Sequence, residues 1–240
     1  MDEDLKTLLE SATIKATAVD GQDVLLLVVK QGTAPAVWQR LRDAHAETGL
    51  WPFLVDADED KPYHQPVVWD HLEDGEDDEE PRSAETLFSI VPELDEDDEE
   101  DVEYLANLMS GEADLSGPPA PGKLSESQTT NIGLVRTAAG GWDIPRLLRW
   151  DGAANHGITG AEHSNVLKYW YERYGAELAV ATFDVLELLV ANPPTERAEI
   201  EAVTLAQYHY CVDVVDQGVE TLAALAQKQV HSHDWYFWWD

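Results

Sequence analysis

The chain has 240 residues with 48 acidic and 15 basic side chains, a formal charge of −33. A length of this order accommodates one or two domains, and a field of that sign repels phosphate backbones, which argues against nucleic acid as a direct partner. The chain has no apolar run of about 18 residues, Met1-Asp2-Glu3-Asp4 carries acid where an export signal needs positive charge, and the single cysteine, Cys211, allows neither an internal disulfide nor a cysteine-based metal site. The expected location is cytoplasmic, with no membrane span.

The first segment, residues 1–69, reads as helix, strand, strand, helix, strand. Leu5, Leu8 and Leu9 recur at helical spacing within Asp4–Ser11, and Asp23–Val29 is a β-rich apolar run. Thr33 is placed to cap a helix presenting Val37, Trp38, Leu41 and His45, and Gly49 is placed to end it. Trp51–Val55 reads as the next strand.

Residues 70–130 differ in composition. Between Asp56 and Glu103 fall 22 acids and only two bases, Lys61 and Arg82, with the densest runs at Asp70–Glu80 and Asp95–Asp101. Blocks of this kind are solvated rather than packed, although Val102, Leu105, Leu108 and Met109 place a short helix after the second, where acid at the N-terminus complements the helix dipole. Gly111–Thr130, with Gly117-Pro118-Pro119-Ala120-Pro121-Gly122, reads as a linker.

From 131 to 240 the pattern predicts strands at Ile132–Arg136 and Arg146–Trp150, a helix over Ala161–Tyr174 stopped by Gly175, and a hairpin turning near Asp184. A helix capped by Thr195 follows, then one over Val219–Lys228 that leads into the tail Asp234-Trp235-Tyr236-Phe237-Trp238-Trp239-Asp240. Five consecutive aromatics demand burial, each ring contributing roughly 1.5 to 3 kcal/mol, so the tail is expected as a strand covered on both faces. The fold class is α+β, a largely antiparallel sheet with helices packed on one face and the aromatic strand buried in it.

Several residues carry chemistry worth placing. Tyr208-His209-Tyr210-Cys211-Val212-Asp213 offers thiol, imidazole and carboxylate, the ingredients of a cysteine hydrolase. On a helix, however, His209 and Cys211 point about 200 degrees apart, whereas His209 and Asp213 can pair. His231, His233 and Asp234 supply acceptable ligands for zinc or another divalent ion, to be completed by His163 or His156. Asp213-Val214-Val215-Asp216-Gln217-Gly218 is a polar junction where Gly218 can end one helix and Asp216 or Gln217 cap the next. Glu172, Asp184 and Glu187 are the carboxylates able to converge on it. With Trp170, the residues Asp213, Asp216 and Gln217 form the candidate binding set, and Trp150 and His163 belong to the same pocket if there is one. The glycines lack the lysine and hydroxyl of a phosphate loop, so no nucleotide or other cofactor is expected.

Taken in order, Glu162-His163, Trp170, Arg173-Tyr174-Gly175-Ala176-Glu177-Leu178, Asp184-Val185-Leu186-Glu187-Leu188, Pro193-Pro194-Thr195, Gln207-Tyr208, Cys211 with Asp213, Val215-Asp216-Gln217-Gly218 and the Trp235–Asp240 tail give a resemblance over about the last 110 residues. The chain resembles a bacterial family called domain of unknown function 4253, and Thr48-Gly49-Leu50-Trp51-Pro52 extends the likeness toward the N-terminus. Asn192 stands where such chains often have Arg and Val212 where they often have Pro, so a role for that Arg with a ligand anion does not carry over. The resemblance implies no activity. The charge concentration and the lack of a coherent catalytic set point to a non-enzymatic, cytoplasmic interaction protein, immunity-like or regulatory, that binds a basic protein. The alternative is a hydrolase or metal-dependent enzyme working through His209, Cys211 and Asp213 or through the His231 cluster.

Overall fold

A computed structural model describes residues 3–55, 80–91, 95, 97–125 and 129–240. Of the two acid runs, 95–101 falls largely within these residues, whereas 70–79 lies outside them. Helix α1 (Glu3–Glu10) precedes strands β1 (Thr13–Thr17) and β2 (Asp23–Val28), then α2 (Ala34–Asp43), the single turn α3 (His45–Thr48) and β3 (Leu50–Val55). The middle supplies α4 (Ala84–Leu87) and α5 (Glu99–Leu108). The remainder runs β4 (Asn131–Arg136), α6 (Ile144–Leu148), α7 (Gly160–Tyr174), β5 (Ala176–Ala181), β6 (Val185–Val190), α8 (Arg197–Tyr210), α9 (Leu222–Leu225) between two π-helical segments (Val214–Val219 and Ala226–Val230), and β7 (Asp234–Trp238).

Among the described residues seven strands form one sheet in the order β1-β2-β4-β3-β5-β6-β7, antiparallel throughout except for β3 beside β5. The α+β class and the C-terminal strand in the sheet follow the sequence. The helices, however, divide between the faces. Val37, Trp38 and Leu41 of α2 pack with Leu5 of α1 against Leu27, Leu54 and Leu134. On the other face, Val166, Leu167 and Trp170 of α7 and Ile200 and Val203 of α8 meet Phe53, Leu178, Leu188 and the tail rings. The one-face arrangement describes the C-terminal half's own helices α7 and α8, while its strands β4 and β5 are covered on the other face by α1 and α2, because strands buried on both sides need cover from two directions.

Strand β3 comes from the N-terminal segment yet lies between β4 and β5, so the boundary at 130/131 runs through a continuous sheet. Its alternation sends Trp51, Phe53 and Val55 to one core and Leu54 to the other. The Phe53 ring lies over its cross-strand partner Gly133, where an added Cβ would sit 2.3 Å from the ring. Pro52 brings no N–H to a ladder. Across the same seam the Trp51 indole N–H donates to the Leu178 carbonyl (3.1 Å), while Trp38 Nε1 donates to the Pro52 carbonyl (2.9 Å). Gly49 ends α3 in the left-handed region (φ 68°) and turns the chain into β3, as its position predicts.

Four local expectations change. Arg146–Trp150 is not a strand, because Pro145 starts a helix there and buries Ile144, Leu147 and Leu148 at helical spacing. The residue capping α8 is Glu196 rather than Thr195. Gly218 lies inside the first π-helical segment, which ends instead at Glu220 with φ 71°, and the next helix is capped by Thr221, whose hydroxyl accepts from Ala224 N. Strand β7 is the edge of the sheet and is fully covered on one face only. Trp235 and Phe237, with Trp239 just beyond, are buried, whereas Tyr236 is 36% exposed. The Gly/Pro linker is tied down beside it, since Ala120 N donates to His231 O (3.0 Å) and His233 N to Ala120 O (2.9 Å).

Candidate functional site

The space between α7, α8 and β7 is filled by rings. Trp170 stacks on Phe237 (centroids 5.1 Å) and meets Tyr210 and Trp235 edge-on, and Trp239 meets Trp150, Tyr210 and His163 in the same way. His163, fully buried on α7, has Nδ1 2.5 Å from the Tyr210 hydroxyl. Burial pushes this imidazole down to about 3, against an opposing pull from the neighbouring Glu162 carboxylate, so the ring is neutral. Trp150, His163 and Trp170 therefore belong to a packed core rather than to the wall of a pocket.

The polar junction lies where α8 gives way to the first π-helical segment. Asp213, almost fully buried, accepts from Gln217 Nε2 (3.0 Å) and from Asp240 N (3.2 Å), and pairs with His156 Nε2 (3.1 Å). Three residues on, Asp216 accepts from the Tyr104 hydroxyl of α5 (2.8 Å), which also lies 2.5 Å from the Tyr208 hydroxyl. Partial burial raises the Asp216 carboxyl, helped by the like charge of Asp213 and opposed by the Tyr104 bond. Asp213, Asp216 and Gln217 thus come together as the sequence suggests, and Trp170 stands apart in the core. Tyr104 and His156 are the members that sequence reasoning misses, since neither lies near the junction in the chain. The one legible sign is Tyr104 beside Leu105 and Leu108, an inward-facing stripe within an acidic helix.

Residues 131–240 match the family model described as Domain of unknown function (DUF4253). This bears out the resemblance of the C-terminal half and stops short of Thr48–Pro52. No curated protein and no solved structure matches the chain. In this chain the sheet of the matched segment includes β3, which carries Trp51 and Pro52 and lies between β4 and β5.

Within the DUF4253 segment the catalytic candidates disperse. Helix α8 ends at Tyr210, and Cys211 turns inward, donating its thiol to the Trp238 carbonyl (3.0 Å). Burial raises this thiol far above the usual range, which suppresses the thiolate that a nucleophile needs. His209 faces away, with Nδ1 2.6 Å from the Phe88 carbonyl, and Asp213 takes His156 as its partner instead. The carboxylates scatter as well. Glu187 accepts from Ser125 N and Oγ, Asp184 from Trp238 Nε1, and Glu172 pairs with Lys168.

The metal candidates are likewise committed to other groups of the chain. Both nitrogens of His231 face carbonyls, those of Pro194 (3.2 Å) and Gly117 (3.0 Å), and His233 Nδ1 faces the Val190 carbonyl (2.7 Å). Asp234 is engaged by Ser232. No group of three or more metal-ligating side chains gathers among the described residues. An open groove of about 800 Å³ runs between α2, the end of α7 and the end of β6. Its wall includes Trp38, Tyr171, Asn192 and His233, and its charged floor is closed by the Arg42–Glu177 ion pair (2.5 and 2.7 Å).

Polar anchors fasten the acidic segment across this half. Arg82 forms an ion pair with Glu162 (2.5 Å) and also reaches the Gly157 carbonyl. Burial works against charge on Glu162, but hydrogen bonds from Arg82 and from Thr159 N hold its carboxyl at about 2. His209 on the Phe88 carbonyl and Tyr104 on Asp216 are further anchors, while Phe88 stacks near Trp170 (5.5 Å) and Leu108 is buried. Glu99, Glu100 and Glu103 are left exposed to solvent.

Proposed function

We propose that the chain is a non-enzymatic, cytoplasmic bacterial protein whose acidic segment binds a basic protein partner, in an immunity-like or regulatory role. The observation that carries this reading is the placement of α5. One side of the helix is docked through Tyr104, Leu105 and Leu108, and the carboxylates of Glu99, Glu100 and Glu103 are presented outward on a fixed element. A fixed array of like charge steers an oppositely charged partner and selects among partners by complementarity. The same field turns away nucleic acid and anionic membrane surfaces, and no described helix is long and apolar enough to cross a membrane. The dispersal of His209, Cys211 and Asp213, with a buried neutral thiol, gives the hydrolase reading no support of its own.

Affinity capture tests the proposal. Full-length chain is compared with a variant in which the acids of 95–101 are replaced by Asn and Gln. The expected result is a set of basic proteins released from the parent chain as salt rises through about 0.1–0.3 M, where screening shortens to less than 10 Å, and absent with the variant. Capture of the same proteins by both chains, independent of salt, would overturn it.

A further inference from the structure

Helix α5 is more apolar than its docking requires. At 100 degrees per residue, Leu105 and Leu108 face the domain, and the apolar sector continues past them through Met109 and Val102 to Ala106. That continuation is uncovered, for Val102 is 49% exposed, Met109 is 68% exposed and Ala106 is exposed. Val102 and Ala106 on α5 and Met109 at its C-cap are spaced i, i+4, i+7, the spacing by which a helix presents anchors to a groove. Glu99 and Glu103 border this stripe on the far side. We infer that the stripe Val102–Ala106–Met109 is the contact face of α5, and that its occupant is an apolar notch rimmed by Lys and Arg on a basic protein.

The inference rests on the acidic-surface reading above and adds the apolar centre that gives such a contact specificity. Charge alone draws in any polycation, whereas buried apolar anchors inside a charged rim distinguish one surface from another. Charge complementarity also decides the occupant. A second copy of this chain would bring a formal −33 against a border of Glu99 and Glu103, and an anionic lipid surface would be repelled in the same way.

Two defined probes separate the layers. One is a helical peptide alternating lysine with leucine at amphipathic spacing, the other its analogue with glutamine in place of leucine and equal charge. The full chain is expected to bind the lysine–leucine peptide about tenfold or more tighter, the effect of covering even part of two apolar side chains. Val102→Gln with Met109→Gln, both at exposed positions, is expected to erase that preference while leaving affinity for the lysine–glutamine peptide and the melting temperature unchanged. Equal binding of the two peptides by the parent chain, or a preference that survives in the variant, overturns the stripe and leaves the acidic surface standing. Failure of both peptides to bind at low salt removes the acidic surface and the stripe together. Binding to phosphatidylcholine vesicles that depends on Val102 and Met109 overturns the protein notch in favour of lipid.

Discussion

Strand β7 and helix α5 both attach to the helical side of the C-terminal half, but they do so by opposite means. The strand inserts Trp235 and Phe237, followed by Trp239, into a ring-filled core where each contributes roughly 1.5 to 3 kcal/mol. The helix rests on Tyr104, Leu105 and Leu108 and holds its carboxylates in water. Aromatic density is spent on folding, and charge density is left outside it. His163, Cys211 and Trp170 lie buried inside the aromatic region, whereas Glu99, Glu100 and Glu103 of α5 face solvent.

The largest loss is expected at β7. Removing residues 235–240 deletes three buried rings at roughly 3 to 5 kcal/mol each, which exceeds most of a typical 5 to 15 kcal/mol stability. Thermal melting should show no cooperative transition, whereas a sharp, unchanged transition would make the tail a surface peptide. Phe53→Ala is next in size. It lies in the N-terminal segment but packs over Gly133, so a loss of about 3 to 5 kcal/mol should lower one common transition seen by every probe. Two separated transitions, with the C-terminal one unmoved, would detach β3 from the DUF4253 segment.

How much of this was legible in the sequence depends on distance along the chain. Periodicity and caps locate α2, β3, α7 and the β5–β6 hairpin, because Gly49, Gly175 and the apolar alternation act locally. Burial of the tail follows from ring count alone. Its place at the sheet edge does not, since edge or centre is settled by which strands pair. The Asp213–Gln217 junction is legible as a polar interruption, but His156 reaches Asp213 from 57 residues away and Tyr104 reaches Asp216 from 112, with no spacing to betray them. The strand reading of Arg146–Trp150 fails because Ile144, Leu147 and Leu148 satisfy an apolar run equally well as a helix, and Pro145 decides the matter.

Smaller effects sharpen the contrast. His163 is neutral when folded, with its pKa lowered to about 3, and takes up a proton near 6.5 when unfolded. Its contribution is therefore fully present above about pH 6.5 and is lost as pH falls from there toward 3. His163→Gln should flatten stability against pH in that window by up to about 1.4 kcal/mol per pH unit, measured by denaturant titration, and an unchanged slope would contradict the neutral buried ring. Tyr104→Phe removes the hydroxyl that joins α5 to Asp216 and Tyr208, a loss of about 1 kcal/mol confined to the strap. Hydrogen exchange should quicken in α5 and stay constant in α7 and β6. Equal acceleration in all three would make α5 part of the core.

The proposed division between a folding core and a partner-binding acidic strap is tested most directly by neutralising the exposed carboxylates of α5, with Glu99→Gln, Glu100→Gln and Glu103→Gln in the full chain. Melting temperature and affinity for the lysine–leucine peptide are then measured on the same sample. The melting temperature should stay within about 4 °C of the parent, the size of a 1 kcal/mol change at this length, while affinity falls at least about tenfold. Retained affinity, or a collapse of the melting transition, would contradict the account.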